Sequence, residues 1–233
     1  RWASTEAAFV YCLSPVVARD YLALEKRLGL TPRDTLTVGS SIDLDQFNPL
    51  PVSQEKHDVV FLGRLHELKG VFDLPEVWAQ VKAARPSATL KVIGEGPHRT
   101  AVMEQFTVRK LMDGVEFTGG IGEEDKNRLL AEARLGLSLS SEEGWGLAVN
   151  EYLAGERPVV AYDLPVFQEV FPDVLHSVSL GDKTAASRAI LELLADPVAR
   201  EAMGRQGREL AQRYDYRAMA REELRHLEAL GKS

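Results

Sequence analysis

Asp58-Val-Val-Phe-Leu62, the loop Gly63-Arg-Leu-His-Glu-Leu-Lys-Gly70, the amphipathic stretch from Asp73 to Val81, and Thr89-Leu-Lys-Val-Ile93 together decide the fold. The first and last pieces are short apolar runs bounded by polar or glycine residues, which is how buried strands read. Between them, Leu74, Val77, Trp78 and Val81 recur at helical spacing, and Asp73 with Glu76 has the spacing of a capping box. Strand, helix and strand in succession make a βαβ unit, which needs a parallel sheet with its helices on the faces.

The same alternation extends outward in both directions. Toward the N-terminus, Ala8–Leu13 reads as a strand, Ser14-Pro15 as an N-cap with proline in the first turn, and Gly29 as the stop of the helix that follows. Residues 30–56, with a short Leu36–Val38 run, read as a linker. Toward the C-terminus, strands are expected at Val115–Thr118, Leu135–Leu139 and Pro158–Ala161. Helices are expected over about 98–111, Glu123–Ala133, Leu147–Ala154, about 184–195, 198–213 and 217–230. The fold class is therefore α/β, a parallel sheet with helices on both faces.

Composition narrows the function. A hydrophobic content of 45% with 27% charged residues fits a globular chain with a full core. The net charge of -7, from 28 basic and 35 acidic residues, argues against a nucleic-acid partner. Cys12 is the only cysteine, so no disulfide framework exists, and the five histidines (His57, His66, His98, His176, His226) show no metal-ligand spacing. No apolar run reaches the roughly 18 residues of a membrane span. The cytoplasm is the default expectation, and the start at Arg1 reads as a fragment or trimmed chain.

In a parallel sheet, ligands bind outside the carboxyl ends of the strands. Four unusual loops fall there: Gly63 to Gly70, Gly94-Glu-Gly-Pro97, Gly119-Gly120 and Ser140-Ser-Glu-Glu-Gly-Trp-Gly146. Arg64 and Lys69 have the chemistry to clamp a diphosphate, one by directional hydrogen bonds and the other as a compact charge. Taken alone, two solvated surface cations explain them better. Gly144 and Gly146 permit close approach of a ligand, and the helix opening at Leu147 offers free N–H groups to an anion; a plain turn before a helix explains them equally well. Glu142 and Glu143 suit the positive end of that helix dipole, Glu151 a solvated helix face, and Trp145 a packing position. Gly94 and Gly96 lack the third glycine of a dinucleotide fingerprint, where Arg99 stands. Gly231-Lys-Ser233 imitates the end of a P-loop, but His226 occupies its required upstream glycine.

Read in order, these motifs resemble the retaining glycosyltransferases of the group 1 (family 4) type, built from two facing Rossmann-like domains in the GT-B fold. The resemblance covers almost the whole chain from Ser14. It rests on Glu143-Gly-Trp-Gly-Leu-Ala-Val-Asn-Glu151 followed by Pro158-Val-Val-Ala, and on Phe61 to Gly70. Val92-Ile-Gly-Glu-Gly-Pro97, Val115 to Gly119, Asp43 to Phe47, and Asp196-Pro through Gly204 match in order. The chain departs from the family pattern in three places: Ser40-Ser41 for the usual Asn-Gly, Trp145 for Phe, and Glu156 for Gly.

The resemblance implies a hexosyltransferase that moves sugar from a UDP- or GDP-sugar to an acceptor, which can be a glycan, a lipid-linked sugar or a small molecule. It implies Arg64, Lys69 and Glu143 as catalytic residues, with the two cations on the departing diphosphate and the glutamate at the sugar. Gly63, Gly144, Trp145, Gly146, Leu147 and Glu151 complete the donor site, Glu151 accepting hydrogen bonds from the ribose. No cofactor and no metal are expected, the nucleotide sugar being a substrate. The implied division is an acceptor-domain remnant over 1–35, a linker over 36–56, the donor domain over 57–213 and a return helix over 214–233. The rest of the acceptor domain, or a partner chain replacing it, would lie outside this sequence and could bring the enzyme to a membrane surface. A non-catalytic nucleotide-sugar-binding module, or a split-enzyme half, is the alternative. An epimerase or phosphorylase fits the combination of paired glutamates with Arg64 and Lys69 less well.

Overall fold

A computed structural model of the chain, which describes residues 9–51 and 54–230, has two parallel sheets. The smaller pairs β1 (Phe9–Cys12) with β2 (Asp34–Thr37), and α1 (Pro15–Arg27) joins them. Ser14 caps α1 by accepting from the Val17 N–H at 3.3 Å, and Gly29 leaves it in the left-handed conformation at φ 67°. The apolar run at Leu36 is thus a paired strand rather than part of a link. Four residues were too few for periodicity to reveal this. Ala8 of the expected first strand, and Gly231 to Ser233, lie outside the described residues.

The larger sheet has six parallel strands, in the order β5-β4-β3-β6-β7-β8: β3 (His57–Leu62), β4 (Leu90–Ile93), β5 (Val115–Gly119), β6 (Ala133–Ser138), β7 (Val159–Tyr162) and β8 (His176–Val178). Counted within this sheet the order is 3-2-1-4-5-6, the doubly wound arrangement of dinucleotide-binding domains. The helices are α2 (Leu74–Ala84), α3 (Arg99–Val108), α4 (Glu123–Ala131), α5 (Leu147–Ala154), α6 (Pro165–Val170), α7 (Lys183–Ala195), α8 (Pro197–Ala211) and α9 (Tyr216–Leu230). The sequence reading had not separated out α6 and β8, which are six and three residues long. Such short elements carry too little periodicity to be read.

Alternation along each strand divides the core between the sheet's two faces. Val59 and Phe61 join Leu135, Leu137, Val160 and the α2 residues Trp78 and Val81 on one side. Val60, Val159 and Ala161 join Val149, Leu153 and Phe167 on the other. Burial on both faces explains why β3 reads as a continuous apolar run. Trp78 is fully buried, and truncating such a side chain costs about 3–5 kcal/mol.

Asp73 does not cap α2. It sits in helical conformation without a capping hydrogen bond, and its carboxylate accepts instead from the Tyr162 hydroxyl at 2.9 Å. Tyr162 is buried at the end of β7, and a buried hydroxyl demands a partner more strongly than a helix end that water can reach. Several contacts pin the segment before β3, among them a parallel bridge of Ile42 with Asp215 beside the start of α9 and the bond that Glu55, its side chain buried, accepts from Arg200 at 3.0 Å. Among the described residues no helix is long and apolar enough to cross a membrane.

Candidate functional site

β3 and β6 are neighbours at the point where the chain's winding direction reverses, and their ends part there. Paired register runs to Phe61 and Leu137. Beyond it, the Leu62 N–H donates not to β6 but to the Tyr152 hydroxyl, at 2.6 Å, and that hydroxyl donates to the Val60 carbonyl at 3.2 Å. Tyr152 reaches this position from α5 because β6 carries Gly136, where a Cβ would come within 2.5 Å of the ring. Burial drives the phenol pKa far up, so the group stays neutral and keeps its proton for Val60.

The separated strand ends open into a cleft of about 470 Å³, a size that suits a small-molecule site. All nine residues named from the sequence line it. Gly63, Arg64 and Lys69 come from the β3 loop, Glu143 to Gly146 from the β6 loop, and Leu147 and Glu151 from α5. Leu13, Ser40, Gly94, Ser138 and Ser140 line it too, and sequence reading had not assigned them. Leu13 and Ser40 precede the main sheet, and no local pattern could have placed them there. Gly119 and Gly120 are not in the lining, so three of the four strand-end loops build the cleft rather than four.

Lys69 closes a short 3-10 turn, Glu67–Lys69, which Gly70 ends in the left-handed conformation at φ 68°. Its ammonium donates to Glu143 Oε1 at 2.5 Å, and the Ser140 hydroxyl donates to the same oxygen at 2.8 Å. The β3 and β6 loops are also tied through the Ser141 N–H and the Leu68 carbonyl at 2.9 Å. Arg64 is exposed, and among the described residues its guanidinium has no hydrogen-bond or ion-pair partner.

Gly146 stands at the N-cap of α5 with φ 105° and ψ 55°, and a Cβ there would come within 2.6 Å of the Phe167 ring. Only glycine fits both the conformation and the space. No side chain caps this helix, so its first N–H groups remain available beside Leu147 and Ala148 in the cleft wall. Because the helix starts at Leu147, Glu151 lies one turn in and shares a face with Leu147. Glu143 precedes the helix in the loop. Trp145 is 5% exposed and packs edge-on against Tyr214 and Phe171, with ring centroids 4.9 and 6.2 Å away. It is a core residue that also borders the cleft.

Glu151 is paired with the ammonium of Lys126, from the first turn of α4, which also donates to Glu123 Oε2 at 2.5 Å. Burial pushes the Glu151 carboxyl up, against the pull of Lys126. For Lys126, burial acts downward but is outweighed by its bonds to the two glutamates, so its pKa is raised and it stays charged.

Comparison with known proteins places this geometry in a family. The model of the family described as "Glycosyl transferases group 1" matches residues 43–210. The phosphatidyl-myo-inositol mannosyltransferase of Propionibacterium freudenreichii is 32% identical over 68% of this chain and 40% of its own length. That of Mycobacterium leprae is 27% identical over 86% of this chain and 55% of its own. The chain therefore spans about half the length of these relatives. Among solved structures, Anabaena HepE in complex with UDP and glucose superposes with a TM-score of 0.83 at 18% identity, over 95% of this chain and 63% of that one. Sucrose-phosphate synthase from Thermosynechococcus elongatus gives 0.82 at 24% identity, over 97% and 59%. At those identities the likeness shows the fold, a GT-B half. The family match takes in every residue of the cleft wall except Leu13 and Ser40, and the chain belongs to the group 1 glycosyltransferases.

Proposed function

We propose that the chain is the donor-binding half of a retaining glycosyltransferase that takes a hexose from a UDP- or GDP-sugar without a metal at the donor site. The observation that carries this reading is the gathering of Arg64, Lys69, Glu143 and Glu151 around one cleft at the reversal point of the sheet. Breaking the donor's glycosidic bond builds negative charge on the departing diphosphate and positive charge on the sugar. Arg64 and Lys69, with the uncapped N-terminus of α5, supply fixed positive charge for the diphosphate. Glu143 faces the sugar and Glu151 accepts from the ribose hydroxyls.

Lys69 and Glu143 neutralise one another in the cleft wall, so a diphosphate that pairs with Lys69 draws it away from Glu143. That exchange frees the glutamate to meet the sugar in the same event. HepE, seen with UDP and glucose, and the phosphatidyl-myo-inositol mannosyltransferases support a nucleotide-sugar donor and an acceptor bearing free hydroxyls.

The test is calorimetric titration with UDP, GDP and ADP and their sugars, with and without Mg²⁺. Tight, Mg²⁺-independent binding of one nucleoside diphosphate is expected, the sugar adding affinity. A strict Mg²⁺ requirement, or no binding of any of them, would overturn the reading. A second reading, a non-catalytic nucleotide-sugar-binding module or a split-enzyme half that needs a partner acceptor domain, is favoured by the exposed Leu24 of α1, Leu28 at its C-cap, and Leu224 and Leu227 of α9. Transfer or hydrolysis of the bound sugar by this chain alone would exclude it.

A further inference from the structure

We propose that Lys126 is a positioning residue for the donor cleft, holding the Glu151 carboxylate ionised and turned so that its free oxygen meets the ribose of the nucleotide. The inference rests on the role of Glu151 proposed above. Three observations carry it. Lys126 has a side chain only 10% exposed, and lysine is rarely buried without a partner. Its ammonium bonds Glu151 Oε1, while among the described residues Glu151 Oε2 has no hydrogen-bond partner. Glu151 lines the cleft and Lys126 does not, so the lysine stands behind the glutamate rather than beside the ligand.

A carboxylate that accepts from hydroxyls must stay ionised, and burial opposes that. Two groups from α4 face Glu151: Lys126, which favours the ionised form, and Glu123, which disfavours it. The Tyr152 phenol beside it on α5 is neutral, and Arg64 and the Lys69–Glu143 pair lie on the other loops of the cleft. Without Lys126, burial and Glu123 act unopposed and the Glu151 pKa climbs further. The sign follows: ribose recognition is present above that pKa and lost as pH falls through it.

The test uses the whole chain and calorimetric titration of uridine and UDP, or guanosine and GDP if that base is preferred, from mildly acidic to mildly alkaline pH. The wild type should show a flat nucleoside affinity around neutrality. Lys126→Met should bind nearly as well as wild type at the alkaline end, then weaken as pH falls through the raised pKa, levelling off at the loss of about fivefold expected of Glu151→Ala. Lys126→Arg should restore the flat profile, and the double variant Lys126→Met/Glu151→Gln should show no pH dependence. A flat wild-type-like profile for Lys126→Met, or an equal loss at every pH as a merely structural role would give, overturns the proposal. If Lys126→Met does not fold, Glu123→Gln replaces it. Removing the competing carboxylate should move the acid limb of nucleoside binding to lower pH, and an unmoved limb overturns the proposal. Full nucleoside affinity in Glu151→Ala would instead sink the reading of Glu151 itself, whatever Lys126 does.

Discussion

Two lysine–glutamate pairs, one in the cleft wall and one that reaches behind it, are built differently. Lys69 and Glu143 both sit on loops, their side chains 28% and 13% exposed, and the Ser140 hydroxyl shares the bonded oxygen. Lys126 and Glu151 both sit on helices, at 10% and 20%. The loop pair can open, because water and an incoming anion can each replace a partner that a short turn holds. The helix pair resists opening, because both backbones are locked by packing and a stranded buried charge is costly. The difference suits the proposed division of labour: one end of the cleft exchanges partners with a diphosphate, while the other presents a fixed acceptor to the nucleoside.

The largest expected effect lies on the rigid side. Tyr152→Phe keeps the ring over Gly136 but leaves the Leu62 N–H without its partner where β3 and β6 part. It should cost about 1–3 kcal/mol in a urea melt. An unchanged midpoint would mean that water or β6 takes over that N–H. Next come the cations. Arg64→Ala or Lys69→Ala should weaken nucleoside diphosphate binding by at least about tenfold and leave the free nucleoside untouched. Equal loss for both ligands would remove the distinction between the two ends.

Glu151→Ala should weaken nucleoside and nucleotide alike, by about fivefold, the worth of a hydrogen bond to a charged group partly repaid by water. A loss confined to the sugar portion of the donor would show that the role is misassigned. Smallest is Ser141→Ala on the loop side, where the exposed hydroxyl reaches the Leu68 carbonyl only at 3.5 Å. Its stability should stay within about 0.5 kcal/mol of wild type in the same melt. A larger drop would mean that the loops are as rigid as the helices, and the comparison between the two pairs would fail.

Much of this architecture was legible in the order of the residues. Ser14, Pro15 and Gly29 mark α1 because capping and left-handed stops are properties of single side chains and need no tertiary partner. The helix from Leu147 to Ala154 was readable because two glycines precede it and apolar residues fill it. The glycine-bearing loops had to fall at strand ends once the strands were seen, and the cleft follows from that placement. Asp73 shows where local reading stops. Its spacing to Glu76 is that of a capping box, yet the Tyr162 hydroxyl, 89 residues away, claims its carboxylate.

For Arg64, Lys69, Glu143 and Glu151, the chain's order of residues determined their types, the loop or helix that carries each, and their edge of the sheet. Only the tertiary structure decided their partners. Lys126 stands in an acid-rich first turn, where it reads as one half of an exposed pair with Glu123, and nothing near it in sequence announces Glu151. The physical reason is that caps, turns and alternation are short-range and written in neighbouring residues. The ionisation state and direction of a buried carboxylate depend on what another helix brings within hydrogen-bonding reach.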